Sequence, residues 1–160
     1  MLGLDLGPRP MMIERARVDW LKVTSKEVEI PADAAVKNDE TWTNPITERT
    51  AQALRRWLEQ RETRPKYDET DLLFLTREGN PYTSGPLKRV LQGVLDEAGI
   101  EYSDRDISWY SLRHSLGAQL VREGNLKQVK HQLRHKSIES TFKYLHQSSD
   151  EVRGNLDKIS

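Results

Sequence analysis

No cysteine occurs among the 160 residues, so disulfides and thiolate metal sites are excluded. Long apolar runs are missing as well. Nothing approaches the ~18–20 consecutive apolar residues that a membrane-spanning helix needs. The opening MLGLDLGPRP lacks the basic start and long apolar centre of a signal peptide. A cytoplasmic location and no membrane partner are the default expectation. There is also no excess of charge of either sign, with 25 basic and 25 acidic residues. Bulk charge therefore does not point to a nucleic-acid partner.

The distribution of charge does. Between Ile107 and Gln147 there are seven Lys/Arg against two Asp/Glu, and all four histidines fall in that stretch. The remainder then carries eighteen basic and twenty-three acidic residues. A locally positive, histidine-rich segment on an otherwise acidic chain suits a phosphate-binding face; a solvated helical surface is the plainer alternative.

At this length the chain fits one domain, 1–160, with mass enough for a hydrophobic core. Helical periodicity dominates. Residues 47–61 place Leu54, Trp57 and Leu58 on one side behind Thr47 as N-cap. Residues 84–100 repeat apolar positions at 87, 90, 91, 94, 95 and 98 and stop at Gly99. A third helix is expected over 108–124, and two short ones begin at Asn125 and Ser137. The tail SSDEVRGNLDKIS has the pattern of a last amphipathic turn or two. Strand signals come early. Residues 20–31 read as a β-hairpin, 41–46 as a third strand, and 72–75 (LLFL) as a short buried run. The expected class is α+β, mostly helical, with a small antiparallel sheet near the N-terminal third.

Side-chain directions sharpen the picture. At ~100° per residue, Ile138, Phe142 and Leu145 share a stripe and Tyr144 points roughly 120° away from it. A packing tyrosine belongs elsewhere. In the 108–124 helix, Trp109, Leu112, Leu116 and Leu120 form the apolar stripe, and Arg113 lies roughly 55° off it, on the rim between core and surface. No acid stands within four residues of Arg113, which excludes a local helical ion pair. Tyr110 and His114 share a more exposed face.

The order of these residues resembles the catalytic domain of tyrosine recombinases, the phage-integrase family, and within it looks most like integrases of haloarchaea and their viruses. The family's first arginine follows a T-G-L-R-like turn, which Gly7-Pro8-Arg9 resembles, with Arg15 and Arg17 close by. Its hairpin lysine corresponds to Lys37 in VKNDETW, with Lys22 and Lys26 as neighbours. The H-x-x-R box is matched by YSLRH, with Arg113 as its arginine and Tyr110 in place of the histidine. The L-G-H box is matched by Leu133-Arg134-His135, where Arg134 replaces the glycine. The nucleophilic tyrosine nine residues after that histidine is Tyr144. Because Arg9 lies so near the start, the resemblance implies that the family's DNA-clamping domain and first catalytic-domain helix are absent from this chain.

The resemblance implies phosphodiester transesterification on double-stranded DNA. Tyr144 would attack phosphorus to form a 3′-phosphotyrosyl link, Arg9 and Arg113 would fork onto the non-bridging oxygens, and His135 would donate a further hydrogen bond. Lys37 would protonate the leaving 5′-oxygen, and Tyr110 would orient a phosphate oxygen or the Tyr144 hydroxyl. The arginines neutralise charge, so no cofactor or metal is implied. Lys88, Arg89, Lys127, Lys130, Arg134, Lys136 and Lys143 are candidate DNA-backbone contacts, which give salt-dependent affinity without sequence choice. Such proteins act as homotetramers on DNA, so a monomer is expected for the chain alone. Two other functions compete: a DNA-binding module or truncated integrase remnant that does not cleave, and a metal-dependent nuclease using the His131/His135 pair.

Overall fold

The computed structural model describes residues 1–34, 40–104, 106–123 and 126–134. Two short helices, α1 (Leu2–Leu6) and α2 (Pro10–Arg15), lead into a three-stranded antiparallel sheet of β1 (Leu21–Lys22), β2 (Glu27–Ile30) and β3 (Trp42–Pro45). Four helices follow: α3 (Glu48–Glu62), α4 (Ser84–Glu97), α5 (Trp109–Arg122) and α6 (Leu126–Gln132).

The β1–β2 turn closes with Lys26 at φ 59. The register sets Val28 opposite Asn44 and Ile30 opposite Trp42, so the period-two pleat turns all four inward. They join Leu6, Ala16, Trp20, Ile46, Ala51, Leu54 and Leu73 in the main core. Burying side chains of this size contributes roughly 1.5–3 kcal/mol each.

α3 starts where expected. The Thr47 hydroxyl accepts from Thr50 N at 3.3 Å, and the Asp5 carboxylate accepts from both Thr47 N (2.8 Å) and Thr47 Oγ1 (2.9 Å). That pair of bonds ties α1 to α3. The spacing alone leaves the residues ahead of Arg9 without a helix; the structure has α1 there, packed along α5. Gly3 makes that approach possible, since a Cβ on it would lie 3.0 Å from the Trp109 ring.

Residues 72–75 form the expected short buried run, paired only through isolated bridges, Leu72 to Arg17 and Leu75 to Pro81. Their burial comes from packing, with Leu73 and Leu75 inward and the backbone held by Leu73 N to Ala16 O at 2.7 Å. In α4 only Leu87, Leu91 and Leu95 are buried, while Val90, Val94 and Ala98 face solvent. One expectation is corrected, concerning α5, and it bears on function. Its most buried line is Arg113, Gly117 and Val121, not Trp109, Leu112, Leu116 and Leu120, which are only partly buried. The helix lies between α1 on one side and α6 on the other, so the centre of its buried face falls between two apolar flanks. Trp109 meets α1, while Val121, Leu116 and Leu120 pack with Val129 and Leu133 of the α6 segment. The helices expected from Ser137 onward and over the tail lie outside the described residues.

Candidate nucleic-acid-processing site

The site is built around Arg113, which is 5% exposed instead of standing on a rim. Burying a guanidinium is costly unless its donors are satisfied. Two of its donors meet backbone: Nη1 donates to Gly7 O at 2.8 Å, and Nη2 donates to Leu133 O. Gly7 terminates α1 in the left-handed region (φ 52), and Leu133 follows the last turn of α6. One arginine therefore joins three segments that are far apart in sequence, and each of them carries a residue of the expected site.

Gly7 has a steric role too. A Cβ there would sit 3.1 Å from Arg113 Cα and 3.1 Å from Leu133 Cδ2. The turn then places Arg9 in extended conformation as the N-cap of α2, with Pro10 pre-set for the first helical position. Arg9 is partly buried and close enough to Arg134 for its charge to act on that residue. Arg134 is held below the ordinary guanidinium value, first by burial; Glu40 opposes that shift and the Arg9 charge adds to it. The Arg9 charge is thus felt by Arg134 across the end of α6.

The end of α6 is fixed from the sheet. The last carbonyls of a helix lack partners within it. Trp42 Nε1 donates to His131 O at 3.0 Å, Asn44 Nδ2 donates to Gln132 O at 2.9 Å, and Arg113 takes Leu133 O. Three consecutive carbonyls thus accept from side chains of β3 and α5, His131 O also accepting from Arg134 N at 3.0 Å. Gln132 reaches back to Asp5 O at 2.7 Å, closing the loop to α1. Residues 131–134, immediately ahead of His135, are held on several sides.

Among the expected site residues, Arg113 bonds the carbonyls of Gly7 and Leu133, two positions before Arg9 and one before Arg134, and the Arg9 charge reaches Arg134. Tyr110 lies on the first turn of α5, 49% exposed, and Lys127 and Lys130 are exposed on α6. Lys88 and Arg89 are exposed on α4, and Lys88 reaches Asp106 at 3.7 Å. The neighbours of the first arginine and the hairpin lysine have surface partners: Arg17 pairs with Asp71, Lys22 with Glu29 at 4.0 Å, and Lys26 with Glu48 at 3.3 Å. Lys37, His135, Lys136, Lys143 and Tyr144 lie outside the described residues. So does one half of the His131/His135 pair; among the described residues no group of three or more His, Asp or Glu could hold a metal. No described helix is long and apolar enough to cross a membrane.

Asp5, Trp42, Asn44 and Gln132 are the supporting residues that motif spacing misses. Asn44 had a signal of its own, since a polar residue two positions from Trp42 in a strand shares its inward face.

The chain matches the description "Phage integrase family" over residues 1–151. It belongs to that family. Among curated relatives, tyrosine recombinase XerC of Corynebacterium efficiens is 30% identical over 117 residues, covering 72% of this chain and 36% of the relative. The type 1 fimbriae regulatory protein FimB of Escherichia coli K12 is 27% identical over 153 residues, covering 95% of this chain and 73% of FimB. Among solved structures, XerA recombinase superposes with a TM-score of 0.79 at 18% identity, covering 99% of this chain and 55% of XerA. XerH recombinase bound to its palindromic difH substrate, in a post-cleavage complex, gives 0.75 at 21% identity over 96% of this chain and 42% of XerH. The integrase-family chain thus spans little more than a third of XerC and about half of XerA.

Proposed function

We propose that the chain supplies the catalytic centre of a site-specific DNA recombinase, breaking and rejoining strands through a 3′-phosphotyrosyl intermediate. The observation that carries this reading is the bonding of Arg113 to the Gly7 turn, two positions before Arg9, and to the Leu133 carbonyl at the end of α6. Membership of the phage integrase family and the fold shared with a recombinase crystallised after cleavage support it.

In this reading the Tyr144 hydroxyl attacks the scissile phosphorus. A tyrosyl O–P bond forms, the phenolic proton passes to solvent, the P–O5′ bond breaks, and the departing 5′-oxygen takes a proton from Lys37. Arg9 and Arg113 hold the non-bridging oxygens with planar forks, and His135 adds a donor. Pre-set donors of this kind stabilise a charged transition state by roughly 3–4 kcal/mol each. A free 5′-hydroxyl reverses the step without ATP, because the phosphotyrosyl bond retains the ester's energy. Lys88, Arg89, Lys127 and Lys130 would track the duplex backbone outside the centre, and Lys136 and Lys143 would add to it. The partner is double-stranded DNA, with a homotetramer assembled on two duplexes. The kinship with haloarchaeal and viral integrases rests on the Leu133-Arg134-His135 spelling alone.

A nicked duplex that loses the 5′-fragment on cleavage tests the reading. The expected result is a protein–DNA adduct in EDTA that disappears in Tyr144→Phe while DNA binding persists. An adduct surviving in the Phe variant overturns the nucleophile. Binding without any adduct would mark a silent DNA-binding module, and cleavage only with added metal would mark a nuclease.

A further inference from the structure

Arg134 occupies a position where the backbone favours glycine. It follows the C-terminus of α6, its N–H donates to His131 O at 3.0 Å, and its φ is 49. A left-handed residue just past a helix end is usually glycine, because an L side chain there crowds the neighbouring carbonyl. The geometry therefore explains why a glycine suits the middle of an L-G-H box, and it asks what an arginine gains there.

Its side chain answers. Nη2 donates to Glu40 O at 2.8 Å, and the guanidinium lies over the Trp42 ring, 5.7 Å from the centroid. Both contacts are to the entrance of β3. Trp42 and the neighbouring Asn44 already cap the α6 carbonyls of residues 131 and 132. Arg134 returns the grip from the other direction: β3 holds the helix end, and the residue after the helix end holds β3. A planar guanidinium can stack on the indole and donate in its own plane at once, which an ammonium cannot.

We propose that Arg134 is a positioning residue and not a DNA-backbone contact: it locks the entrance of β3 to the end of α6, so that Leu133 O meets Arg113 and the next residue, His135, is presented to the phosphate. This rests on the proposed recombinase reading for its catalytic consequence, but the lock itself is independent of it.

The test uses the 160-residue chain with Arg134→Gly and Arg134→Lys. Glycine relieves the left-handed strain, so a side chain without a structural role would leave Arg134→Gly more stable than the parent. The lock predicts the opposite sign, a thermal midpoint lower by several degrees. Duplex affinity should stay within about twofold, and the slope of log affinity on log salt should not change, because no phosphate contact is removed. On the nicked duplex at saturating DNA, adduct formation should slow about tenfold or more. Arg134→Lys, which keeps the charge, should resemble glycine in rate. A raised midpoint, or a salt slope shallower by about 0.9 with a matching loss of affinity, overturns the proposal and makes Arg134 a phosphate contact. So does a lysine variant with full rate. If the parent forms no adduct, the recombinase reading fails by itself, and midpoint and salt slope still decide whether Arg134 is a lock.

Discussion

Arg113 Nη1 lies 2.8 Å from the carbonyl oxygen of Gly7, a contact across 106 positions of sequence. The turn that aims the first arginine and the helix that carries the second are one hydrogen-bonded unit. A change in either should therefore register at both.

Gly7→Ala is the sparest probe of that unit. Alanine at φ 52 carries the left-handed penalty of roughly 1–2 kcal/mol. Its Cβ would also stand 3.1 Å from Arg113 Cα, which is backbone-linked and has little room to yield. The expected loss is about 2–3 kcal/mol of unfolding free energy, with adduct formation reduced more than DNA affinity. Urea unfolding measures the first part. A cost under about 0.5 kcal/mol would mean that the turn tolerates a side chain and that the close approach is not limiting.

Arg113→Lys separates charge from geometry. A lysine keeps the positive charge but its single nitrogen cannot bridge Gly7 O and Leu133 O as the two guanidinium nitrogens do. One buried carbonyl is left without its donor, at about 1–3 kcal/mol. Cleavage should fall by two to three orders of magnitude, on the order of 3–4 kcal/mol in the barrier. Near-wild-type cleavage by the lysine variant would show that charge alone suffices.

Much of the fold follows from pattern in the sequence. The hairpin, β3 and the helices from Thr47, Ser84 and Ser108 have sharp boundaries there, because Thr47, Gly99 and the alternation around Val28 and Trp42 act through local geometry. The rotation of α5 was not legible in this way. A stripe drawn through Leu112, Leu116 and Leu120 assumes one covering layer, whereas α5 is covered from two sides and Arg113 falls between them. The charged residue misleads a hydrophobic count because its donors are satisfied by carbonyls from residues 7 and 133, which no local window contains. The motif boxes did point to the segments around Gly7, Arg113 and Leu133 that the Arg113 side chain joins. They were silent on Asp5, Trp42, Asn44 and Gln132, whose work is to hold backbone atoms, a task that leaves no spacing to recognise.

Acid stability offers a test of how the hairpin meets α3. Glu48 is held below its ordinary value of 4.5, first by the hydrogen bond from Gln52 and then by Lys26 of the hairpin turn. A carboxyl with a depressed folded pKa contributes stability that is present above 4.5 and lost as pH falls through the folded value. Glu48→Gln should therefore lower the thermal midpoint slightly at neutral pH and flatten its decline below 4.5. Parallel curves for parent and variant through the acid range would remove Glu48 from the account.

Tyr110 stands where the family's H-x-x-R box has histidine, and the structure leaves it 49% exposed on the first turn of α5, three residues before Arg113. At that exposure its ring contributes little to packing, so Tyr110→Phe should change stability by no more than about 0.5 kcal/mol. Any larger effect on chemistry then belongs to the hydroxyl. If that hydroxyl donates to a phosphate oxygen or to the Tyr144 oxygen, its loss removes one hydrogen bond of about 1.5–3 kcal/mol and slows adduct formation by about 10–100-fold. Tyr110→His restores the box and should retain activity, with a steeper pH dependence between about 6 and 8 than the parent. A sharper alternative makes Tyr110 the nucleophile, since an exposed phenol close to a buried arginine is also placed to attack. Mapping the DNA-linked peptide separates the two. A phosphotyrosine at Tyr144 keeps Tyr110 as an orienting donor, whereas a phosphotyrosine at Tyr110, with full adduct yield in Tyr144→Phe, would transfer the catalytic role to α5.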